Sequence, residues 1–362
     1  MKNEKKRKRL RLLLWADLVL VLVCAACIIA ATALADSQTS QKAYERWAGD
    51  GDTDFAQVSC YLPENKKLTL NDIYQFKQAT RDKLHEAALD IDTELELTND
   101  CWSTVGTTKV TSDRGTADVS VIAVGGDFFS FHPLRLVSGN YLRQSDIMKD
   151  RIVIDRELAW RLFGGCELQG MTVYIEGQPF VIAGVIERED DYASKKAYTA
   201  GMGLFMSYEA YNALYDEGIG CYEVVMPEPI DGFAYGVAEE KFPVNGGEII
   251  ENSGRFAYGR LMKLAVSFSS RSMQTLGVIY PYWENAARCI EDWCARLVML
   301  ATLAALIPCI TVAAAVIKLI DRGREVLSDK YIPKIRDSAE EKIRVSQRRR
   351  WEKKHGKHEK RR

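Results

Sequence analysis

Two long apolar segments enclose most of this chain, and each is backed by a strongly basic tail. Residues 12–35 contain one charged side chain, Asp17, and residues 297–317 contain none. Each segment reaches the ~20 residues that a helix needs to cross ~30 Å of hydrocarbon. We therefore expect two transmembrane helices, at residues 12–35 and 294–320, with a large domain between them.

The distribution of charge predicts the orientation of these helices. Residues 1–11 carry a net charge of +6, residues 321–362 carry +8 and the whole chain carries −1, which leaves −15 for residues 12–320. Lys and Arg beside a membrane span stay in the cytoplasm. We expect a two-pass protein of the cell membrane, with cytoplasmic tails at residues 1–11 and 321–362 and an extracytoplasmic domain at residues 36–293.

The first apolar segment has a second interpretation as a cleaved signal peptide. A basic region precedes it, and Ala33-Leu34-Ala35 matches the small-residue pattern of a cleavage site. Its apolar run is longer than the ~7–15 residues usual in signal peptides. An uncleaved anchor is therefore the expectation, and the mass of the mature chain distinguishes the two.

Local patterns predict a mixed α+β domain on helical stalks. Thr69 followed by Asp72 forms a capping box at a helix start, and Asp155 is placed to cap a second helix. Gly177 suits the tight turn of a hairpin. Residues 260–266 are predicted to be extended. The stalks are predicted at residues 37–47 and 272–293, next to the two spans.

The sequence carries no recognisable catalytic or nucleotide-binding motif. It contains no G-x-x-x-x-G-K-[ST] loop for phosphates and no nucleophile elbow. His85 and His132 are isolated, whereas a zinc site needs clustered His or Cys ligands. We expect no enzyme activity, no cofactor and no metal. The basic tails are expected to contact lipid and not nucleic acid.

Of the nine cysteines, Cys289 and Cys294 flank the outer membrane face, and four others fall in the rest of the outer domain, where disulfides persist. They are Cys60, Cys101, Cys166 and Cys221, and they allow three pairings. Cys60 and Cys101 end a predicted strand–helix–strand unit, which favours a bond between them. A Cys166–Cys221 bond is the second choice, and free buried thiols are the alternative to both.

Three segments in sequence order carry a family resemblance. They are residues 128–142 (FFSFHPLRLVSGNYL), 153–164 (VIDRELAWRLFG) and 170–185 (GMTVYIEGQPFVIAGV). Together they resemble the MacB-like periplasmic core domain of FtsX-type ABC transporter permeases. The residues that match the family's structural motif are Phe129, Gly139, Asp146, Leu158, Ala159, Phe163, Gly164, Gly170, Gly177, Phe180 and Gly184.

The resemblance implies a fold, a role and partners. It implies a two-lobed α/β domain with one lobe inserted in the other and without catalytic residues. It also implies mechanical coupling to a partner ATPase for substrate export or envelope signalling. Family permeases usually have one span before this domain and three after it, whereas one is visible here, so we expect a second permease chain as partner. The alternative function is an independent membrane-anchored domain that binds or senses an extracellular ligand.

Overall fold

The computed structural model describes residues 2–49, 54–87, 98–198, 201–243, 246–267, 280–327 and 332–355. It divides the chain into two units, one made of Met1–Ala26 and Leu300–Arg362, the other of Cys27–Met299. The strands within the described residues are β1 (Phe55–Tyr61), β2 (Asn99–Ser112), β3 (Gly115–Gly126), β4 (Arg135–Gly139), β5 (Arg151–Asp155), β6 (Thr172–Ile175), β7 (Gln178–Glu187), β8 (Gly203–Ser207), β9 (Cys221–Pro227) and β10 (Glu248–Glu251).

Helices account for the other regular elements of the described residues. The α-helices are α1 (Lys2–Asp36), α2 (Ala43–Ala48), α3 (Leu70–Glu86), α4 (Phe128–Phe131), α5 (Arg156–Phe163), α6 (Tyr192–Ala197), α7 (Tyr208–Tyr215), α8 (Phe233–Lys241), α9 (Tyr258–Val266), α10 (Tyr282–Val326) and α11 (Ile332–His355). Two short 3₁₀ helices cover Thr39–Lys42 and Glu64–Lys66.

The first unit is helical. By length and composition, the segments Arg7–Asp36 of α1 and Tyr282–Glu325 of α10 are able to cross a membrane, and parts of both belong to this unit. Within it, the Thr311 hydroxyl donates a hydrogen bond of 2.8 Å to Asp17 Oδ2. A polar group in a membrane helix needs such an internal partner, because lipid offers none.

The second unit is built on one mixed sheet with the strand order β10-β1-β9-β2-β3-β8-β5-β7-β4, and β6 pairs with β2 and β7. Strands from the two ends of this unit, β1 and β9–β10, lie together on one side. The strands from the middle of the chain, β3–β8, form the other side. The sheet therefore has two parts, one inserted in the chain of the other, and the predicted α+β fold class is confirmed.

Short-range signals in the sequence explain several element boundaries. Thr69 caps α3 in a capping box with Asp72, as predicted. Asp155 caps α5 by accepting a 2.7 Å hydrogen bond from the Leu158 N–H. Gly177 has a φ of +76° in the turn between β6 and β7, a conformation that glycine adopts without steric cost. These three predictions depended on neighbouring residues only, and all three are confirmed.

Two segments differ from their predicted structure. Residues 260–266 belong to helix α9 and are not extended. Leu261 and Leu264 are its buried residues, and their spacing of three suits a helix. In so short an apolar run, however, periodicity does not distinguish a helix from a strand. The stalk predicted at residues 37–47 is not one continuous helix, because α1 ends at Asp36 and a 3₁₀ turn precedes α2.

The second predicted stalk is described only in its later part. Residues 268–279 lie outside the described residues. Helix α10 begins at Tyr282, directly after Pro281, and proline is well tolerated at a helix start. The first turns of α10 belong to the apolar core on one face of the sheet, through Trp283, Ala286 and Ile290.

Candidate functional site

The start of helix α10 is buried against the sheet and carries charged side chains into the interior. Residues 281–291 are all buried, and Glu284, Arg288 and Glu291 are the charged residues among them. Their spacing of four and three places them on one face of the helix. This face meets Arg255, which precedes α9, and Glu248 of β10. We call these five residues the ionic junction.

Arg255 lies at the centre of the ionic junction. Its Nη1 lies 2.7 Å from Glu284 Oε2 and its Nη2 lies 2.9 Å from Glu284 Oε1, which is a bidentate arrangement. Nη2 also donates to Glu291 Oε2 at 3.0 Å. Nε lies 2.9 Å from Glu291 Oε1, close enough for an ion pair but outside hydrogen-bond geometry. One guanidinium group therefore joins two carboxylates of α10.

Arg288 extends the ionic junction to the edge strand of the sheet. Its Nε donates to Glu284 Oε1 at 2.7 Å, and its Nη2 donates to Glu248 Oε2 at 2.8 Å. The guanidinium group also stacks over the Tyr280 ring, 3.8 Å from the ring centre. Charge-assisted bonds of this kind are directional, so they set the rotation of α10 relative to β10.

Opposite charges keep the ionic junction ionised despite its burial. Burial lowers the pKa of the Arg255 guanidinium group, but the carboxylates of Glu284 and Glu291 outweigh burial and hold that pKa well above its ordinary value. The Tyr61 hydroxyl of β1 donates a further bond of 3.2 Å to Glu284 Oε2. Because a buried charge without its partner costs several kcal/mol, the pairs hold helix and sheet in one arrangement.

A second polar cluster lies on the same face of the sheet. His132 Nε2 lies 2.6 Å from Glu223 Oε2, and the Ser59 hydroxyl donates to Glu223 Oε1 at 2.6 Å. The imidazole ring packs against both Phe128 and Trp283, with ring centres 4.5 and 4.3 Å away. Trp283 belongs to the first turn of α10, so this cluster also contacts that helix.

Cys101 of β2 completes this second cluster. One donor atom from each of Cys101, His132 and Glu223 lies within 4.8 Å of the other two. In the sequence, His132 is isolated from other ligand-type residues, and this grouping was not predicted. No local signal indicates it, because the three residues are distant in the chain and meet only through the strand order.

An acidic group that is able to hold a cation lies at the surface and has another explanation. It consists of Glu228, Asp231 and Glu251. The Glu228 carboxylate accepts hydrogen bonds from the backbone N–H groups of Phe233 and Ala234, at 3.1 and 2.9 Å. Glu228 therefore satisfies the start of α8, where free N–H groups favour a carboxylate.

The first two motif segments place their residues in the framework of the sheet. Phe129 stacks on Tyr141 with ring centres 4.8 Å apart, and Asp146 accepts a hydrogen bond from the Arg143 N–H. The remaining residues of these segments lie in or next to β4 and α5. Among them, Leu158 and Ala159 are buried in the core, Phe163 packs against it, Gly164 follows the end of α5 and Gly139 ends β4.

The third motif segment builds the hairpin of β6 and β7. Gly170 donates its N–H to the Ile182 carbonyl at 2.9 Å, and Phe180 of β7 is buried in the core. A Cβ atom on Gly184 would lie 2.5 Å from the Asn140 carbonyl oxygen. These positions are structural, and they lie in different elements from those that carry the ionic junction.

The cysteines do not form the predicted disulfides. All nine are free thiols in the structure. Strand β9 lies between β1 and β2, with Cys60 opposite Tyr222 and Cys101 opposite Glu223. The Cα atoms of Cys60 and Cys101 are therefore at least two strand spacings of ~4.8 Å apart, which exceeds the ~7 Å limit for a disulfide. The Cys60–Cys101 prediction is therefore wrong for this strand order.

The second predicted pair, Cys166 and Cys221, is likewise unbonded. Cys221 is buried at the start of β9, whereas Cys166 is half-buried in the loop after α5. The alternative of free thiols, most of them buried, describes the outer cysteines. The prediction failed because the order of the strands in the sheet cannot be derived from the order of the strands in the chain.

Comparisons with known proteins agree with the resemblance in the sequence. The family model of the MacB-like periplasmic core domain matches residues 18–231, which is more than half of the 362 residues. No match is found among curated proteins. Because the family is that of a permease's periplasmic domain and the structure has two candidate membrane helices, the chain is a membrane protein with an extracytoplasmic segment.

Two solved structures are similar at low sequence identity. The periplasmic region of MacB from Actinobacillus actinomycetemcomitans is 13% identical, with 59% of this chain and 92% of that chain covered and a TM-score of 0.41. The extracellular domain of the noncanonic ABC-type transporter YknZ from Gram-positive bacteria is 15% identical, with 55% and 99% covered and a TM-score of 0.35. By the match of the family model, this chain belongs to the family of the MacB-like periplasmic core domain.

Proposed function

We propose that this chain is the membrane-anchored extracytoplasmic component of an ABC-type permease complex. In this proposal, a partner ATPase moves the membrane helices, and the movement reaches the outer domain to drive substrate export or envelope signalling. The observation that carries the proposal is the ionic junction, because it bonds the sheet to α10, the helix that also contains the second apolar segment.

The ionic junction suits the transmission of movement better than an apolar contact would. Apolar contacts have no preferred direction, whereas a bidentate Arg–carboxylate pair is directional. A rotation of α10 would have to carry Glu248 and Arg255 with it or break buried ion pairs. Since breaking such pairs costs several kcal/mol, the sheet is expected to follow the helix.

The proposed topology supports this role. Residues 12–35 and 294–320 span the cell membrane, residues 36–293 lie outside and both basic tails lie in the cytoplasm. The support is the charge of the tails, since Lys and Arg beside a span stay cytoplasmic. An ATPase in the cytoplasm would then be close to the tails, and lipid and a second permease chain would surround the spans.

Co-purification of the intact chain tests the proposed complex. The tagged full-length chain is crosslinked in cells, extracted in mild detergent and analysed by mass spectrometry. We expect an ABC-type ATPase and a second permease chain to be recovered with it. Recovery of the chain alone, from cells in which a known membrane complex is crosslinked efficiently, would contradict the proposal.

A pair of variants tests the role of the ionic junction within that complex. Glu284→Gln removes the carboxylate that Arg255 and Arg288 share. Glu187→Gln removes a half-buried carboxylate that Arg135 and Arg156 share and is the matched control. We expect both variants to retain the partners and, under conditions in which both give native circular dichroism, only Glu284→Gln to lose the transport-coupled part of the ATPase activity. Equal activity of the two variants would show that the junction does not couple.

A further inference from the structure

Three side chains of metal-ligating type meet inside the outer domain from three separate segments. Cys101 comes from β2, Glu223 from β9 and His132 from the residue after α4. Each is 1% exposed, and one donor atom of each lies within 4.8 Å of the other two. We propose that Cys101, His132 and Glu223 form a binding site for a divalent transition-metal ion, Zn²⁺ being the ion that they suit best.

The types of ligand select this class of metal. Zn²⁺ binds thiolate, imidazole and carboxylate groups in proteins, whereas Mg²⁺ and Ca²⁺ take oxygen ligands. The contact of 2.6 Å between His132 Nε2 and Glu223 Oε2 is short for two ligands of one ion. Two ligand atoms that each lie ~2.0–2.2 Å from a tetrahedral Zn²⁺ ion are about 3.4 Å apart. The distance between Nε2 and Oε2 therefore has to increase by less than about 1 Å when the ion binds.

The charge of Glu223 is the second argument for a cation. Among the described residues, the other buried acidic side chains each lie within ion-pair distance of an Arg or a Lys; they are Asp100, Asp155, Glu284 and Glu291. Within the described part of the chain, Glu223 has only His132 at that distance. A buried carboxylate needs a compensating positive charge, and a metal ion bound by the three side chains would supply it.

One ring nitrogen of His132 has no hydrogen-bond partner among the described residues. Its Nε2 contacts Glu223, while its Nδ1 is buried without a hydrogen-bond partner. Buried polar atoms are nearly always satisfied, so the unpartnered Nδ1 shows that the described residues alone do not satisfy this buried ring. The rings of Phe128 and Trp283 hold the imidazole in place, as a preorganised ligand requires.

A candidate for a fourth ligand lies on the same face of the sheet, outside the three residues whose donor atoms lie within 4.8 Å of one another. Cys221 lies two residues before Glu223 on β9, and alternate residues of a strand point to the same side. Cys221 and Cys101 belong to the same buried cluster. An ion at this position would tie β2 and β9 to the segment after α4, next to Trp283 at the start of α10. Loading during folding accounts for access to so buried a site.

Metal analysis of the full-length chain tests the proposal. The chain is produced in medium with added zinc and purified in detergent without chelators, and its zinc content is measured by mass spectrometry. We expect one zinc ion per chain in the wild type and in Cys60→Ala. The control is matched, because Cys60 and Cys101 are equally buried and both lie on strands beside β9. Cys101→Ala and His132→Gln should contain at least ~10-fold less zinc.

A spectroscopic readout separates loss of a ligand from loss of folding. With Co²⁺ in place of zinc, a thiolate ligand produces a charge-transfer band in the near ultraviolet. We expect this band in the wild type and in Cys60→Ala, and its loss in Cys101→Ala while circular dichroism stays native. His132→Gln should keep the fold and lose most of the metal.

Three outcomes would overturn the metal site. The first is a natively folded wild-type chain without zinc and without the cobalt band. The second is zinc that persists in both Cys101→Ala and His132→Gln, since it would then be held elsewhere, for example by His355 and His358 of the tail. The third is a disulfide between Cys101 and Cys221 in the purified wild-type chain, because it removes the thiolate ligand.

Discussion

Glu284 is the residue on which the ionic junction depends most, because two guanidinium groups share its carboxylate. Arg255 binds both oxygens, and Arg288 donates to one of them at 2.7 Å. The side chains of Glu284 and Arg255 are 0% and 1% exposed. Water therefore cannot replace either partner, and removing one leaves the other as an uncompensated buried charge.

Glu284→Gln is expected to destabilise the outer domain strongly. Loss of one partner of a buried ion pair costs ~3–5 kcal/mol, so the free energy of unfolding should fall by about that amount. Urea denaturation of the full chain in detergent, followed by tryptophan fluorescence, measures it. Half-buried Glu187 pairs with the exposed side chains of Arg135 and Arg156 and provides the control, since Glu187→Gln should cost about 1 kcal/mol. Similar values for both variants would contradict a buried, ionised junction.

Cys60 is expected to remain an unreactive free thiol. Burial raises the pKa of the Cys60 thiol, and the thiolate is the reactive form, so both access and ionisation oppose alkylation. Half-buried Cys166 should react with N-ethylmaleimide in the native protein, whereas Cys60 should react only after denaturation. Peptide mass mapping reads out both. A Cys60–Cys101 disulfide would contradict the strand order. Labelling of Cys60 and Cys166 at the same rate would contradict the burial of Cys60.

At the residue scale, the sequence identified framework positions and missed the polar clusters. The motif residues Leu158, Ala159 and Phe180 are core positions, and short apolar patterns indicate such positions well. The contacts of His132 with Glu223 and of Arg255 with Glu284 join residues 91 and 29 positions apart. No spacing rule links residues at such separations, so only the folded chain reveals them.

At the scale of elements, the contact between β4 and β7 depends on glycine. Gly139 ends β4 with a φ of +77°, and a Cβ atom there would lie 2.2 Å from the Ala183 carbonyl oxygen. The strands also shift register between Leu136 and Ser138. The backbones of β4 and β7 therefore approach more closely than any larger residue at this position allows.

Gly139→Ala is expected to destabilise the domain. The left-handed conformation costs ~1–2 kcal/mol for a residue with a Cβ atom, and overpacking adds ~1–3 kcal/mol. Gly165→Ala is the control, since a Cβ atom at Gly165 meets nothing within 4 Å. Urea denaturation should show a clear loss for the first variant and little change for the second. A neutral Gly139→Ala would contradict the close approach.

Elements with explicit end signals were predicted correctly, and an element without them was not. Asp155 begins α5, and Gly164 ends it with a left-handed conformation, so the sequence contains both boundaries. Helix α9 lacks a side-chain cap at Ala257, and its short apolar run fits a strand equally well. Element prediction therefore succeeded where a cap or turn residue is physically required.

At the scale of the whole molecule, the order of the strands decides what the domain can do. Strand β9 pairs with both β1 and β2, which separates Cys60 from Cys101 and places Glu223 beside Cys101 and His132. The same order brings β10 to the edge of the sheet, where Glu248 meets Arg288. The order of the strands in the chain predicts neither arrangement, because β9 follows β1 and β2 by more than a hundred residues.

The predicted orientation in the membrane leads to a labelling test on the whole molecule. Ser145 is exposed in the outer domain and Ser338 is exposed in α11, so cysteines introduced there report on two sides of the membrane. In the predicted orientation the basic tails stay in the cytoplasm, so a membrane-impermeant maleimide should label Ser145→Cys in intact spheroplasts. It should label Ser338→Cys only after permeabilisation, and the modified peptides are identified by mass.

Each labelling outcome has a direct structural meaning. Labelling of Ser338→Cys in intact spheroplasts would place the C-terminal tail outside, and an ATPase in the cytoplasm then could not reach it. Protection of Ser145→Cys until permeabilisation would place the outer domain inside and contradict the extracytoplasmic assignment. The expected pattern leaves α10 as the element that runs from the ionic junction towards the cytoplasmic side, which is the path that the proposed coupling needs.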